Sequence, residues 1–130
     1  MEKPGAALLT QVGGAEQLSI GGDANGIEKK LVYVAAAYAG DIEGNTRKTQ
    51  GYSKYVIEQG AVPVNPILNF HGVLFDETDR DLALALDMLV LERCDELWAF
   101  GEPTAGMRME LERAKEKNIP IKYITPGGNT

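Results

Sequence analysis

The sequence predicts a doubly wound α/β domain, one parallel sheet of about four to five strands with helices packed on both faces. Three observations carry this. Leu31-Val-Tyr-Val-Ala-Ala-Ala37 and Glu96-Leu-Trp-Ala-Phe100 are short, largely apolar runs with β-branched and aromatic residues, the composition of strands buried on both faces. The stretches between strand candidates have helical length and period, giving the order β-α-β-α-β-α-β. A chain of 130 residues, 44% of them hydrophobic, suits a single core.

The elements follow in order. Residues 1–28 hold two Gly-Gly pairs and no sustained period, and read as a Gly-rich tail in which only Ala6 to Leu9 and Leu18 to Ile20 cluster apolar residues. The α/β domain is expected over 29–125. Its first strand leads through Tyr38-Ala-Gly-Asp-Ile-Glu-Gly-Asn45 into a helix from about Thr46 to Gln59, with Tyr52, Tyr55, Val56 and Ile57 as its apolar contacts and Gly60 as its stop. Ala61-Val-Pro-Val64 is a short strand whose proline suits a sheet edge. Asn65 to Phe75 reads as a loop carrying the single histidine, His71. From Asp76 to Arg93, Leu82, Leu86, Leu89 and Val90 have the spacing of a buried helical stripe, with Asp76 or Asp79 as a cap. After the third strand, a helix to about Asn118 precedes Ile119 to Ile124, and 126–130 is a polar tail.

Composition narrows the chemistry. A formal charge of −6 argues against a general nucleic-acid backbone binder, and no apolar run approaches the ~20 residues of a membrane span. One cysteine, Cys94, and the absence of a secretory leader pattern suit a reducing cytoplasm. One His and one Cys do not make a zinc cluster, so no metal and no cofactor is expected. The first strand–helix turn is not the dinucleotide Gly-x-Gly-x-x-Gly fingerprint, and the sequence contains neither a Gly-x-x-x-x-Gly-Lys-Ser/Thr phosphate loop nor a Gly-x-Ser-x-Gly elbow.

Carboxylates remain. Ligand crevices in such sheets open beyond the carboxyl ends of the strands, which brings Tyr38, Gly40 and Asn45 towards Thr104, Gly106 and Glu110. Glu110 reads either as a helix-start Glu favoured by the helix dipole or as a carboxylate placed for chemistry. Asp87, beside the leucine stripe, must reach water or a partner. Two such carboxyls suit cleavage at an anomeric carbon, one as nucleophile and one exchanging a proton with the leaving group.

Tyr33, Asp87, the run Cys94-Asp-Glu-Leu-Trp-Ala-Phe-Gly101 and Thr104-Ala-Gly-Met-Arg-Met-Glu110 together resemble the nucleoside 2-deoxyribosyltransferase superfamily, over about Leu31 to Ile124. The likeness is greatest to its small phage or bacterial members and implies a flavodoxin- or Rossmann-like fold. It implies Glu110 as the nucleophile on the anomeric carbon, Asp87 as the residue exchanging a proton with the base, and Tyr33 as the group orienting Glu110. Met107 and Arg108 lie in the same motif and, with Thr104, Gly106, Tyr38, Gly40 and Asn45, are expected to bind substrate. The transferases carry Asp where this chain has Thr104, whereas the related deoxynucleoside 5'-monophosphate N-hydrolases carry Ser there and use it on the 5'-phosphate. The resemblance therefore implies N-glycosidic cleavage of a (deoxy)nucleoside or its 5'-monophosphate, with water or a second base as acceptor. The alternative is a non-catalytic nucleotide-binding, sensing or sequestering module. Family members complete the sugar site with a neighbouring subunit or a C-terminal segment, so a homodimer or higher homo-oligomer is expected.

Overall fold

The computed structural model describes residues 29–74 and 79–125. The apolar clusters expected near Ala6 and Leu18, and the Asp76 start of the third helix, lie outside them. Four strands and four helices follow in the order β1 (Leu31–Ala35), α1 (Ile42–Glu58), β2 (Val62–Val64), α2 (Pro66–Phe70), α3 (Arg80–Leu91), β3 (Glu96–Phe100), α4 (Ala105–Glu116) and β4 (Ile121–Ile124).

All strand pairs are parallel, in the spatial order β2-β1-β3-β4. The crossover through α1 runs one way from β1 and that through α4 runs the other way from β3, so the chain reverses its winding between β1 and β3. β2 is an edge strand, which accommodates Pro63 and its missing N–H.

The period of two along β1 and β3 divides the core. Tyr33, Ala35, Leu97 and Ala99 face Leu91, Met107, Leu111 and Ala114, which places α3 and α4 on that side. Val32, Val34, Trp98 and Phe100 face Val56 and Ala61, with Tyr52 and Tyr55 packed against them from α1. Tyr52 and Phe100 stack with ring centroids 4.5 Å apart and planes within 9°.

Several boundaries differ from those the sequence predicts. α1 begins at Ile42 because Asp41 caps it, its carboxylate accepting the Gly44 N–H at 3.1 Å. That side chain fills the space beside Gly44, where a Cβ would stand 2.2 Å from Asp41 Oδ2. Gly60, with φ of +90°, ends the helix as expected. Ile57 is 52% exposed, so α1 packs through Tyr52, Tyr55 and Val56 without it. The stretch after β2 is not all loop: Asn65 caps α2 and Pro66 opens it. Asp79 holds the N-cap position of α3 but makes no side-chain cap hydrogen bond. The leucine stripe is also rotated from its expected position. Leu82 is 51% exposed and Leu89 60% exposed, while Leu91 is fully buried. Rotating the buried face this way turns Asp87 inward.

Candidate active site

The site grows from two adjacent strands and the two helices on one face. Tyr33 lies mid-strand on β1, opposite Val64 on one side and Leu97 on the other, and is wholly buried. Its hydroxyl donates to Glu110 Oε2 at 2.6 Å, joining residues far apart in sequence. A buried phenol needs such a partner.

Glu110 is not a helix-start residue. α4 begins at Ala105 and has no acidic residue in its first turn, so Glu110 stands in the second turn with its side chain against the sheet and 8% exposed. The helix dipole, which acts mainly within the terminal turn, does not account for it.

The electrostatics tie three groups together. Burial pushes the Glu110 carboxyl up to about 8; the Tyr33 hydrogen bond opposes that rise and the Asp87 charge adds to it. Burial alone lifts Asp87 to about 6. Tyr33 is held well above the usual phenol range by burial first, then by the charges of Glu110 and Asp87. With Glu110 at about 8 and Asp87 at about 6, the pair holds one proton between those values, on Glu110. Such a pair can present one carboxylate and one acid at the same pH.

Through this hydrogen bond Tyr33 can orient Glu110 and favour its ionised form. Tyr33→Phe removes the hydrogen bond that favours the ionised form, so the Glu110 pKa rises further. Any activity that needs its carboxylate should fall roughly ten- to a hundredfold, with the pH–rate profile displaced to higher pH. A uniform loss with an unmoved profile would assign Tyr33 to packing alone.

The turn before α4 holds the other expected residues. Thr104 is the N-cap, its hydroxyl accepting the Met107 N–H at 3.2 Å. Gly106 is half-buried in the first turn, and a Cβ there would meet Leu84 only at an ordinary 3.9 Å. The Met107 side chain belongs to the core at 1% exposure, whereas Arg108 is exposed and makes no ion pair among the described residues. Thr104→Ala should cost about 1 kcal/mol in urea denaturation and Thr104→Ser almost nothing, because serine caps equally well.

The loop after β1 is pinned from two sides. Asn45 donates through Nδ2 to the carbonyls of Tyr38 and Ala39, each at 3.1 Å, and Tyr38 Oη lies 2.8 Å from His71 Nδ1. Gly40, with φ of +96°, supplies the left-handed turn between them. Sequence reasoning set His71 aside as a loop residue, and nothing in the sequence signals its contact with Tyr38.

A groove of about 490 Å³ opens where the winding reverses, lined by residues that include Asn45, Lys48, Tyr52, Phe100 and Glu102. Lys48 escaped the sequence reading, although Asn45, Lys48 and Tyr52 have the i, i+3, i+7 spacing of one helix face. A second groove of about 550 Å³ runs past Val64, Asn65 and Leu68 to Val90, one turn along α3 from Asp87. Lys48, Tyr52 and Phe100 lie on the α1 side, whereas Tyr33 and Glu110 lie between the sheet and α4, so neither groove is lined by Tyr33, Asp87 or Glu110.

No helix among the described residues is long and apolar enough to cross a membrane. Comparison with known proteins adds the family. Residues 30–124 match a family model described as "Domain of unknown function (DUF7768)". A search of curated proteins returns no match. Among solved structures, a 2-deoxyribosyltransferase from Bacillus psychrosaccharolyticus superposes with a TM-score of 0.60 at 15% identity, over 77% of this chain and 75% of that one. One from Leishmania mexicana gives 0.57 at 15% identity, over 74% of this chain and 64% of its own length. The chain belongs to the DUF7768 family and has a nucleoside 2-deoxyribosyltransferase-like fold.

Proposed function

We propose that this protein cleaves the N-glycosidic bond of a (deoxy)nucleoside or its 5'-monophosphate through a covalent glycosyl–enzyme intermediate. The observation that carries the reading is the buried Tyr33–Glu110 hydrogen bond of 2.6 Å, set within the field of Asp87. The fold it shares with the 2-deoxyribosyltransferases supports the substrate class.

In the reactive state Glu110 is ionised and Asp87 carries a proton. A Glu110 oxygen bonds to the anomeric carbon as the C–N bond breaks, the C–N electron pair leaves with the base, and Asp87 supplies the proton that neutralises it. Developing positive charge at the anomeric carbon stabilises the Glu110 carboxylate at the moment it is needed, which favours moving the proton to Asp87. Water, or a second base in a transfer reaction, then attacks the same carbon and gives up a proton to the Asp87 carboxylate, while the carbon–oxygen bond to Glu110 breaks and Glu110 leaves as a carboxylate. Tyr33 holds Glu110 in one orientation throughout.

Thr104 and the first turn of α4 are the proposed contact for a 5'-phosphate, as a helix N-terminus offers N–H groups and positive potential. The Thr104 hydroxyl can donate to a phosphate oxygen while still accepting from Met107.

Chromatography of nucleosides and nucleoside 5'-monophosphates after incubation with the protein tests the reading. Free base, accompanied by sugar, sugar phosphate or a new nucleoside, is the expected result. Saturable binding without product at long incubation would replace catalysis by sequestration.

A further inference from the structure

One aromatic pair belongs neither to the core nor to the carboxyl pair. Tyr38, half-buried in the loop after β1, and His71, exposed at the end of α2, are 33 residues apart in sequence. Their side chains nevertheless meet: Tyr38 Oη lies 2.8 Å from His71 Nδ1, and the rings stand edge to face with centroids 5.9 Å apart and planes at 79°. The backbone on each side is fixed by other bonds. Asn45 holds the carbonyls of Tyr38 and Ala39, beside the left-handed turn at Gly40. Asn65 caps α2 while its Nδ2 donates to Thr49 and Ser53, and His71 closes that helix through its own N–H on the Ile67 carbonyl at 2.9 Å. The side-chain contact therefore shapes neither segment. Water competes for an exposed hydrogen bond, so the contact adds little stability; what it fixes is the rotamer of each ring.

We propose that His71 is a positioning residue for substrate: it locks Tyr38 in one rotamer, and the ring so held is a wall of the crevice against which the planar nucleobase packs. The proposal rests on the glycosidic-bond reading above and adds to it the group that receives the base. Tyr38 follows closely on Ala35, the last residue of the strand that carries Tyr33, at the edge of the sheet where ligand crevices open. An edge-to-face pair covers at most one face of one ring, which leaves aromatic surface for a base to stack on. A ring already held in one rotamer loses less freedom when the base arrives, so the benefit is to binding and not to the chemical step. Either tautomer of His71 serves, because the tyrosine hydroxyl can donate to a bare Nδ1 or accept from a protonated one.

His71 is the chain's single histidine, so a histidine-labelled sample of the full chain gives one set of ring signals in nuclear magnetic resonance. Tyr38→Phe should move those signals; unmoved signals would show the contact absent in solution and overturn the proposal. In steady-state base release, His71→Ala should raise KM roughly three- to tenfold and leave kcat within about twofold. His71→Asn, whose amide can still bond the phenol, should recover most of the loss. Combining Tyr38→Phe with His71→Ala should be no worse than the worse single change, as expected of two groups acting through one bond. Inhibition by free nucleobases should weaken in step with KM, and inhibition by ribose 5-phosphate should not. An unchanged KM in His71→Ala, a matching fall in kcat, or an equal weakening of ribose 5-phosphate would each sink the base wall and leave the glycosidic-bond reading standing. If the wild-type chain releases no base from any nucleoside or nucleotide, that reading falls by itself, and the histidine signals decide the wall. Shifted by nucleobases and not by ribose 5-phosphate, they support it; unmoved by both, they overturn it.

Discussion

Replacing Glu110 by Gln should lower base release from a nucleotide or nucleoside by roughly a thousandfold or more, with the fold intact, because the substitution removes the proposed nucleophile while keeping its shape. Gln retains an oxygen that accepts from the Tyr33 hydroxyl, so the buried phenol stays satisfied. Glu110→Ala should abolish release as well but should also destabilise, since it leaves that hydroxyl without its partner. The contrast separates chemistry from structure: equal losses of activity with unequal losses of stability identify Glu110 as the reacting group. Base release that survives in both variants would remove Glu110 from the mechanism, whatever its burial.

The second large effect is on stability against pH. The Glu110 carboxyl rises from 4.5 to about 8 on folding, so between those values the folded chain holds a proton that the unfolded chain has lost. The unfolded state then binds fewer protons than the native state, and stability falls as pH rises through this window. Above about 8 the loss is complete, and below about 4.5 both states are protonated and the contribution is fully retained. Asp87 adds a slope of the same sign between 3.8 and about 6. Glu96 works in the opposite direction at acid pH, its carboxyl held below the ordinary value first by the Trp98 hydrogen bond and then by Lys30.

Glu110→Gln isolates the main term, since glutamine does not titrate. Urea denaturation at about pH 5 and about pH 9 should show wild type and variant close together at the lower pH and the variant more stable by a few kcal/mol at the higher. Parallel stability profiles would mean that Glu110 reaches water more freely than its burial implies. A buried carboxyl that costs stability above neutral pH fits the trade-off expected if Glu110 is the proposed nucleophile.

The same residues show how much of the site the sequence carries. Tyr33, Asp87 and Glu110 are recognisable by motif and order and the resemblance implies the Tyr33–Glu110 contact, but its geometry arises only when β1 and β3 pair and α4 packs across them. The structure also removes the simplest alternative for Glu110. The sequence permits a first-turn residue serving the helix dipole, whereas the start of α4 at Ala105 puts Glu110 a turn deeper, against the sheet.

For α3 the helix was legible and its buried face was not. A helix apolar on both sides gives no contrast from which to read an orientation, so spacing alone favoured Leu82 and Leu89 as core and left Asp87 at the margin. Packing against β1 and α4 decided otherwise. α2 was missed for a related reason: five residues give too short a period to see, and its capping by Asn65 is a tertiary arrangement, with Nδ2 held by Thr49 and Ser53 of α1.

By itself, then, the sequence determined the strands, their parallel order of crossing and the residue types available for chemistry, because apolar runs and turn residues are local signals. Tertiary structure alone decided which face of α3 is buried and how far the Asp87 and Glu110 carboxyls are withdrawn from water. Those outcomes depend on desolvation and on contacts between distant residues, which no local pattern records.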